Sequence, residues 1–181
     1  MASLEQLARE LPSLLGEWQA ISSDVAPLES LINLLEQRTS VVAVRRLPCA
    51  LTTVPELHAR LLAKIDMEIS DECGHLHDHL TRLNIVAVRM DELYLTAGAF
   101  IHKVQLEDFP LQLPQDAMSE LDAVVLFMRQ RHQQLSQLFN MLDASPQCES
   151  VSHQMRRLWK MPYLMRQLFS SLHRDFALII R

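Results

Sequence analysis

The chain has 181 residues, 49% hydrophobic and 22% charged, enough for one domain with its own core or one subunit that shares a core with a partner. Three glycines are too few for the turns of a nucleotide-binding α/β fold or an all-β fold. A net charge of −5, from 17 basic and 22 acidic residues, argues against a dedicated nucleic-acid binder, which would carry a basic face.

Cys49, Cys73 and Cys148 form neither a metal-type pair nor a disulfide framework, so a reducing, intracellular setting is expected. The first residues, MASLEQLARELP, hold no basic segment followed by an apolar run, so no secretory signal is expected. Apolar runs are short and broken by charge, so no membrane span is expected.

The first predicted helix covers about 3–40. Ser3 and Gln6 have capping-box spacing. Leu4, Leu7, Leu11, Leu14, Trp18, Ile21, Val25, Leu28, Ile32 and Leu35 then recur at alternating steps of three and four. Pro12 and Pro27 fall inside the pattern and either kink the helix or end it; the unbroken register favours a kink. Residues 45–52, with Pro48, read as a connection.

The second predicted helix, about 53–105, is unusually long. Thr53 is placed as its N-cap and Glu56 as the capping-box partner, with Pro55 in the first turn. Ile69, Cys73, Leu76, Leu80, Leu83, Ala87, Met90, Tyr94, Ala97 and Ile101 alternate four and three without a break, the spacing of a helix that packs lengthwise on other helices. Gly74 is a weak point in its interior. Residues 107–114, with two prolines, end it.

The third predicted helix spans about 115–142, with Leu121, Val125, Met128, His132, Leu135, Phe139 and Leu142 in its stripe. The fourth segment, about 150–180, carries Val151, Met155, Leu158, Pro162, Met165, Phe169, Leu172, Phe176 and Ile179; Pro162 in a core position implies a kink or a division into two helices. Flanking apolar residues such as Leu15, Leu31, Val86, Leu93, Phe127, Leu138, Trp159 and Leu168 widen each stripe. Wide stripes suit a bundle more than a two-stranded rod. The expected fold is all-α: a single domain over 1–181, an elongated, coiled-coil-like bundle of about four long helices with antiparallel neighbours. Stripes this wide on helices this long point to a partner chain, with Leu76, Leu80, Leu83, Met90, Tyr94, Trp159 and Tyr163 as candidate interface residues.

No constellation reads as a catalytic centre. Cys73 and His77, and likewise His75 and His79, are four apart, so each pair shares a helix face; the two pairs point in different directions and do not converge on one metal. His132 sits at a core-type position with no acid or nucleophile implied nearby. Ser170, Ser171, His173 and Asp175 have triad residue types but lie on one helix, whereas triads are assembled from separate elements. Arg156, Arg157, Lys160, Arg166 and Arg174 make the last segment basic, beside Trp159 and Tyr163. This reads as a core stripe with a solvated face, or as a docking face. Gly16, Gly74 and Gly98 all lie within helical patterns, which excludes a phosphate-binding loop. No enzyme activity, cofactor or metal is expected.

Trp18-Gln19, Pro27-Leu28, Ser30-Leu31, Asn33-Leu34 and Glu36-Gln37 resemble the first helix of the ribosome-maturation cofactor family that associates with SPATA-type AAA+ unfoldases. Pro55-Glu56-Leu57, Arg60-Leu61 and Lys64 resemble the opening of that family's second helix. In the third helix this chain reads Arg129-Gln130-Arg131-His132-Gln133-Gln134, where the family is richer in lysine and arginine. Trp159 followed by Pro162-Tyr163 is similar to the sister subunit of the same assembly, a cyclin-dependent-kinase-interacting helical protein. The resemblance implies a non-enzymatic adaptor or scaffold that forms a heterodimer with its sister and attaches to AAA+ ATPase subunits. It would act in maturation of the large ribosomal subunit and in chromatin and replisome protein unfolding, in cytoplasm and nucleus, without direct contact to nucleic acid or membrane. The competing readings are a coiled-coil subunit of a cytoskeletal or kinetochore assembly, and a helical-bundle metalloprotein.

Overall fold

The computed structural model describes residues 2–43, 56–106, 116–144 and 149–177. These residues form an all-α bundle: α1 (Ala2–Ser23), α2 (Ala26–Ala43), α3 (Leu57–Leu106), α4 (Ala117–Ala144), α5 (Glu149–Trp159) and α6 (Tyr163–Ala177). The four expected helical spans are present, but two of them are divided.

The first is divided at its second proline. Pro12 lies inside α1 without ending it, whereas Pro27 falls in the first turn of α2. Were the helix continuous, the Pro27 ring would press on the Ser23 carbonyl four residues back and supply no N–H. α1 instead ends with the Asp24 N–H on the Ala20 and Ile21 carbonyls, and α2 opens with the Glu29 N–H on the Val25 carbonyl. The Asp24 carboxylate accepts the Ala26 N–H at 3.4 Å, satisfying one otherwise orphan donor at the new helix start. The expected kink is therefore a break with its own cap. Pro162 likewise separates α5 from α6 and is exposed, not in the core position that the spacing implied.

α3 has 50 residues and so extends about 75 Å at 1.5 Å per residue. Thr53, expected as its N-cap, lies outside the described residues. The first helical bond runs from the Arg60 N–H to the Glu56 carbonyl, so Glu56 opens the helix, with φ 61°, and is not the third residue of a capping box. Cys49 and Cys148 also lie outside the described residues.

α3 packs against α1, α2 and α4, while α5 and α6 close over α4. Its partners run opposite to it. Glu10 and Glu17 of α1 meet Arg89 and Arg82 of α3. Ser30 and Arg38 of α2 meet Glu72 and Asp66. Arg129 of α4 pairs with Asp91, and the Phe139 ring stands 6.4 Å from His77. Between these polar edges the apolar stripes turn inward. Leu7, Leu11, Trp18, Leu28, Leu31, Leu76, Leu83, Met90, Leu121, Met128, Leu135 and Phe176 are all below 2% exposed. They belong to one continuous core to which all six helices contribute. Each such side chain withdrawn from water stabilises the fold by roughly 1.5–3 kcal/mol before conformational entropy is counted.

Candidate functional site

Most of the proposed interface residues are inside this chain's own bundle. Leu76, Leu80, Leu83, Met90 and Trp159 are between 0% and 5% exposed, and Tyr94 is half-buried against the core. Burial and the neighbouring Asp122 raise the Tyr94 phenol above its ordinary value. The stripes that suggested a partner are covered by α1, α2, α4 and α5. Heptad spacing identifies a face that must be covered, not the chain that covers it. Of the seven, only Tyr163 is well exposed.

One row of uncovered apolar side chains lies on the opposite face of α3. Thr81, Ile85, Val88, Glu92, Leu95 and Ala99 alternate four and three, and every one is exposed. Ile85, Val88 and Leu95 are 61%, 50% and 60% exposed. At 100° per residue this row is centred about half a turn from the buried row of Leu76, Leu83, Met90 and Ala97. On one side its rim is held by Arg82 to Glu17 at 3.2 Å and by Arg89, whose Nε and Nη2 form a fork on the two Glu10 oxygens at 2.8 and 2.9 Å. A third Arg89 bond, from Nη1, reaches Glu92 at 3.0 Å. On the other side Asp91 is fixed by Arg129. These pairs hold the borders of the row in place. The signal for it is in the sequence: the residues repeat with the same four-three alternation as the core stripe, in the positions that the core register leaves over.

The histidine-rich stretch of α3 fans out. His75 faces Glu72 and is exposed, His77 turns to Phe139, and His79 is mostly buried against Trp159 and Asp24. Cys73 is half-buried against the core. Among the described residues no three His, Cys, Asp or Glu side chains come together as a metal site. His132 is half-buried on α4, 3.2 Å from the Ser136 hydroxyl, and burial pulls its pKa below the ordinary value. The Ser170 hydroxyl donates to the Arg166 carbonyl, one turn back along α6; the side chains of His173 and Asp175 are outside what the structure describes.

Arg131 of α4 and Arg156 of α5 have structural partners. The Arg131 guanidinium donates to the Leu158 carbonyl at 3.0 Å and lies 5.0 Å from the centre of the Phe127 ring; its burial lowers its pKa. Arg156 pairs with Glu29 of α2. Arg157, Lys160, Arg166 and Arg174 are exposed.

Fold and surface together define a helical-bundle protein with an uncovered apolar ridge on its longest helix and, among the described residues, no helix long and apolar enough to cross a membrane. No family model, curated protein or solved structure matches this chain.

Proposed function

We propose that this chain is a non-enzymatic scaffold subunit of an AAA+ unfoldase assembly, joined to a sister helical subunit through the outer ridge of α3. The observation that carries the assembly role is the run of Ile85, Val88 and Leu95, exposed at knob spacing on a helix whose other side is already packed. Such a row accepts one amphipathic helix laid lengthwise. Asp78, exposed in the continuation of the row, favours a partner that presents lysine or arginine at the matching position. The class of assembly rests on the resemblance of the Trp18–Gln37 and Pro55–Lys64 stretches to the ribosome-maturation cofactors. In that reading ATP chemistry belongs to the ring, and the work is release of a maturation factor from the large ribosomal pre-subunit and unfolding on chromatin, in cytoplasm and nucleus.

Affinity purification of the tagged full chain, followed by mass spectrometry, tests this. AAA+ ATPases and one helical subunit should be recovered with the native chain and lost with the double variant Ile85→Asp, Leu95→Asp. Those positions are solvent-exposed, so the variant should keep its helical circular dichroism and melting temperature. Recovery of tubulin or centromere proteins in place of an ATPase would overturn the reading in favour of a cytoskeletal or kinetochore subunit.

A further inference from the structure

We infer that a second docking site, chemically unlike the α3 ridge, lies where α5 meets α6, and that it receives a glutamate- or aspartate-rich segment of a protein partner. The inference deepens the scaffold reading, on which it rests, by naming the chemistry of a partner.

Several exposed cations meet no carboxylate among the described residues, Arg60, Lys103 and Arg157 among them. Arg38, Arg82, Arg89, Arg129 and Arg156 each meet a carboxylate on another helix. Lys160, Arg166 and Arg174 meet none among the described residues, although the chain as a whole carries more acids than bases. These three unpaired cations share one surface. Lys160 and Arg166 line a cavity of about 270 Å³ between the end of α1 and the α5–α6 joint. Arg166 and Arg174 line a shallower groove of about 420 Å³ that continues along α6 from Tyr163. Arg166 lines both, so the two lie side by side.

The lining combines apolar side chains, Val25 and Met161 among them, with several donors. Among the described residues the Lys160 ammonium meets no acceptor, and Arg166 uses one nitrogen on the Met161 carbonyl at 3.2 Å. The Ser22 hydroxyl, also in the cavity wall, meets no partner among the described residues. The Tyr163 hydroxyl accepts from the Gln167 amide at 2.9 Å. The α6 N-terminus opens at the same place and adds its positive end. Arg166 and Arg174 are two turns apart on α6, about 12 Å, a distance that successive carboxylates of one chain segment can span.

An acidic polypeptide fits this surface better than a nucleic acid does. Duplex binding draws on six to ten phosphate contacts or so, and here three cations stand on a chain with a net charge of −5. Tyr163, 71% exposed at the mouth of the groove, gives an apolar side chain of the segment something to cover.

The full chain is titrated, with fluorescence anisotropy as the readout, against a fluorescein-labelled peptide of glutamates bearing one leucine and against a single-stranded oligonucleotide of equal charge. The peptide should bind and weaken as salt rises. The triple variant Lys160→Glu, Arg166→Glu, Arg174→Glu should lose binding about tenfold or more, as expected when a rim of charge is reversed. Arg60→Glu, an exposed reversal on the far end of α3, should change it little, and Ile85→Asp with Leu95→Asp should leave it intact. That last control separates failure of this site from failure of the α3 ridge. Tighter binding of the oligonucleotide, equal loss in Arg60→Glu, or no peptide binding by the native chain would each overturn the proposal.

Discussion

The indole N–H of Trp159 donates to the backbone carbonyl of Asp24 at 2.9 Å, tying the end of α5 to the break between α1 and α2. In an unbroken helix that carbonyl would accept the N–H of Leu28. α2 takes Val25 as its first acceptor, so the Asp24 oxygen is left without a helical donor, and Trp159 supplies one. The His79 ring of α3 lies 6.2 Å from the indole, and its Nε2 is 3.6 Å from the Asp24 carboxylate. Three separate stretches of chain are thus fixed at one point, and the break forced by Pro27 becomes a structural joint.

Trp159→Phe should separate the two contributions of this side chain. The aromatic packing stays and the donor goes, which should cost about 1 kcal/mol, the net worth of one hydrogen bond. Trp159→Ala also opens a cavity beside His79 and should cost about 3–5 kcal/mol. Urea unfolding followed by circular dichroism distinguishes them: both variants should shift the midpoint with little change in slope. An equal, small loss in both would mean that the indole, 2% exposed, is not packed as described.

The helical class, the approximate ends of the helices and most of the core were legible in the sequence, because burial imposes a three-four repeat that residues such as Leu7, Leu83 and Leu121 satisfy. Three things were not. Periodicity carries across Pro27 because α1 and α2 both lie on α3 and keep the same face inward, so the break leaves no mark in the repeat. The stripe around Leu76 and Met90 states that something must cover it; α1 and α4, from the same chain, do so. The exposure of the outer row of Ile85, Val88 and Leu95 is the third, because the same four-three repeat marks covered and uncovered rows alike.

Gly74 and Gly98 lie in the interior of α3, and a Cβ built at either meets no atom within 4 Å. Neither has a positive φ that would require glycine. Gly74→Ala and Gly98→Ala should each raise stability by about 0.5–1 kcal/mol through reduced freedom of the unfolded chain. They stand far apart on the helix, so the double variant should show nearly the sum. Thermal melts of the four proteins would check this. A loss of stability on either single substitution would show that α3 is bent or crowded at that point.

The Glu10 carboxyl is held below its ordinary value, chiefly by the Gln6 amide; burial opposes this, and the hydrogen bond and charge of Arg89 add to the lowering. A carboxylate with a depressed folded pKa adds stability above its unfolded value and loses it as pH falls through the folded one. Acid unfolding of the native chain should therefore steepen below about pH 4.5, the ordinary carboxylate value. Glu10→Gln should flatten that limb and change little at neutral pH, where the pair is solvent-screened. Unfolding free energies across the acid range, measured for both proteins, carry the comparison.

His132 gives the opposite end of the pH scale. Its ring is half-buried on α4 beside Ser136, and desolvation favours the neutral form. The unfolded chain then takes up a proton at a higher pH than the folded one. Stability contributed by His132 is complete above its ordinary value of about 6.5 and is lost as pH falls from there through the depressed folded value. The described neighbours that titrate differ in their behaviour: Arg129 and Arg131 keep their charge through this range, so protonation adds like charge to the same stretch of α4. His132→Gln keeps a polar side chain able to meet the Ser136 hydroxyl but cannot ionise. Native stability should decline between neutral pH and pH 5, and the variant's should decline less. If the two fall in parallel, the loss of stability does not come from His132.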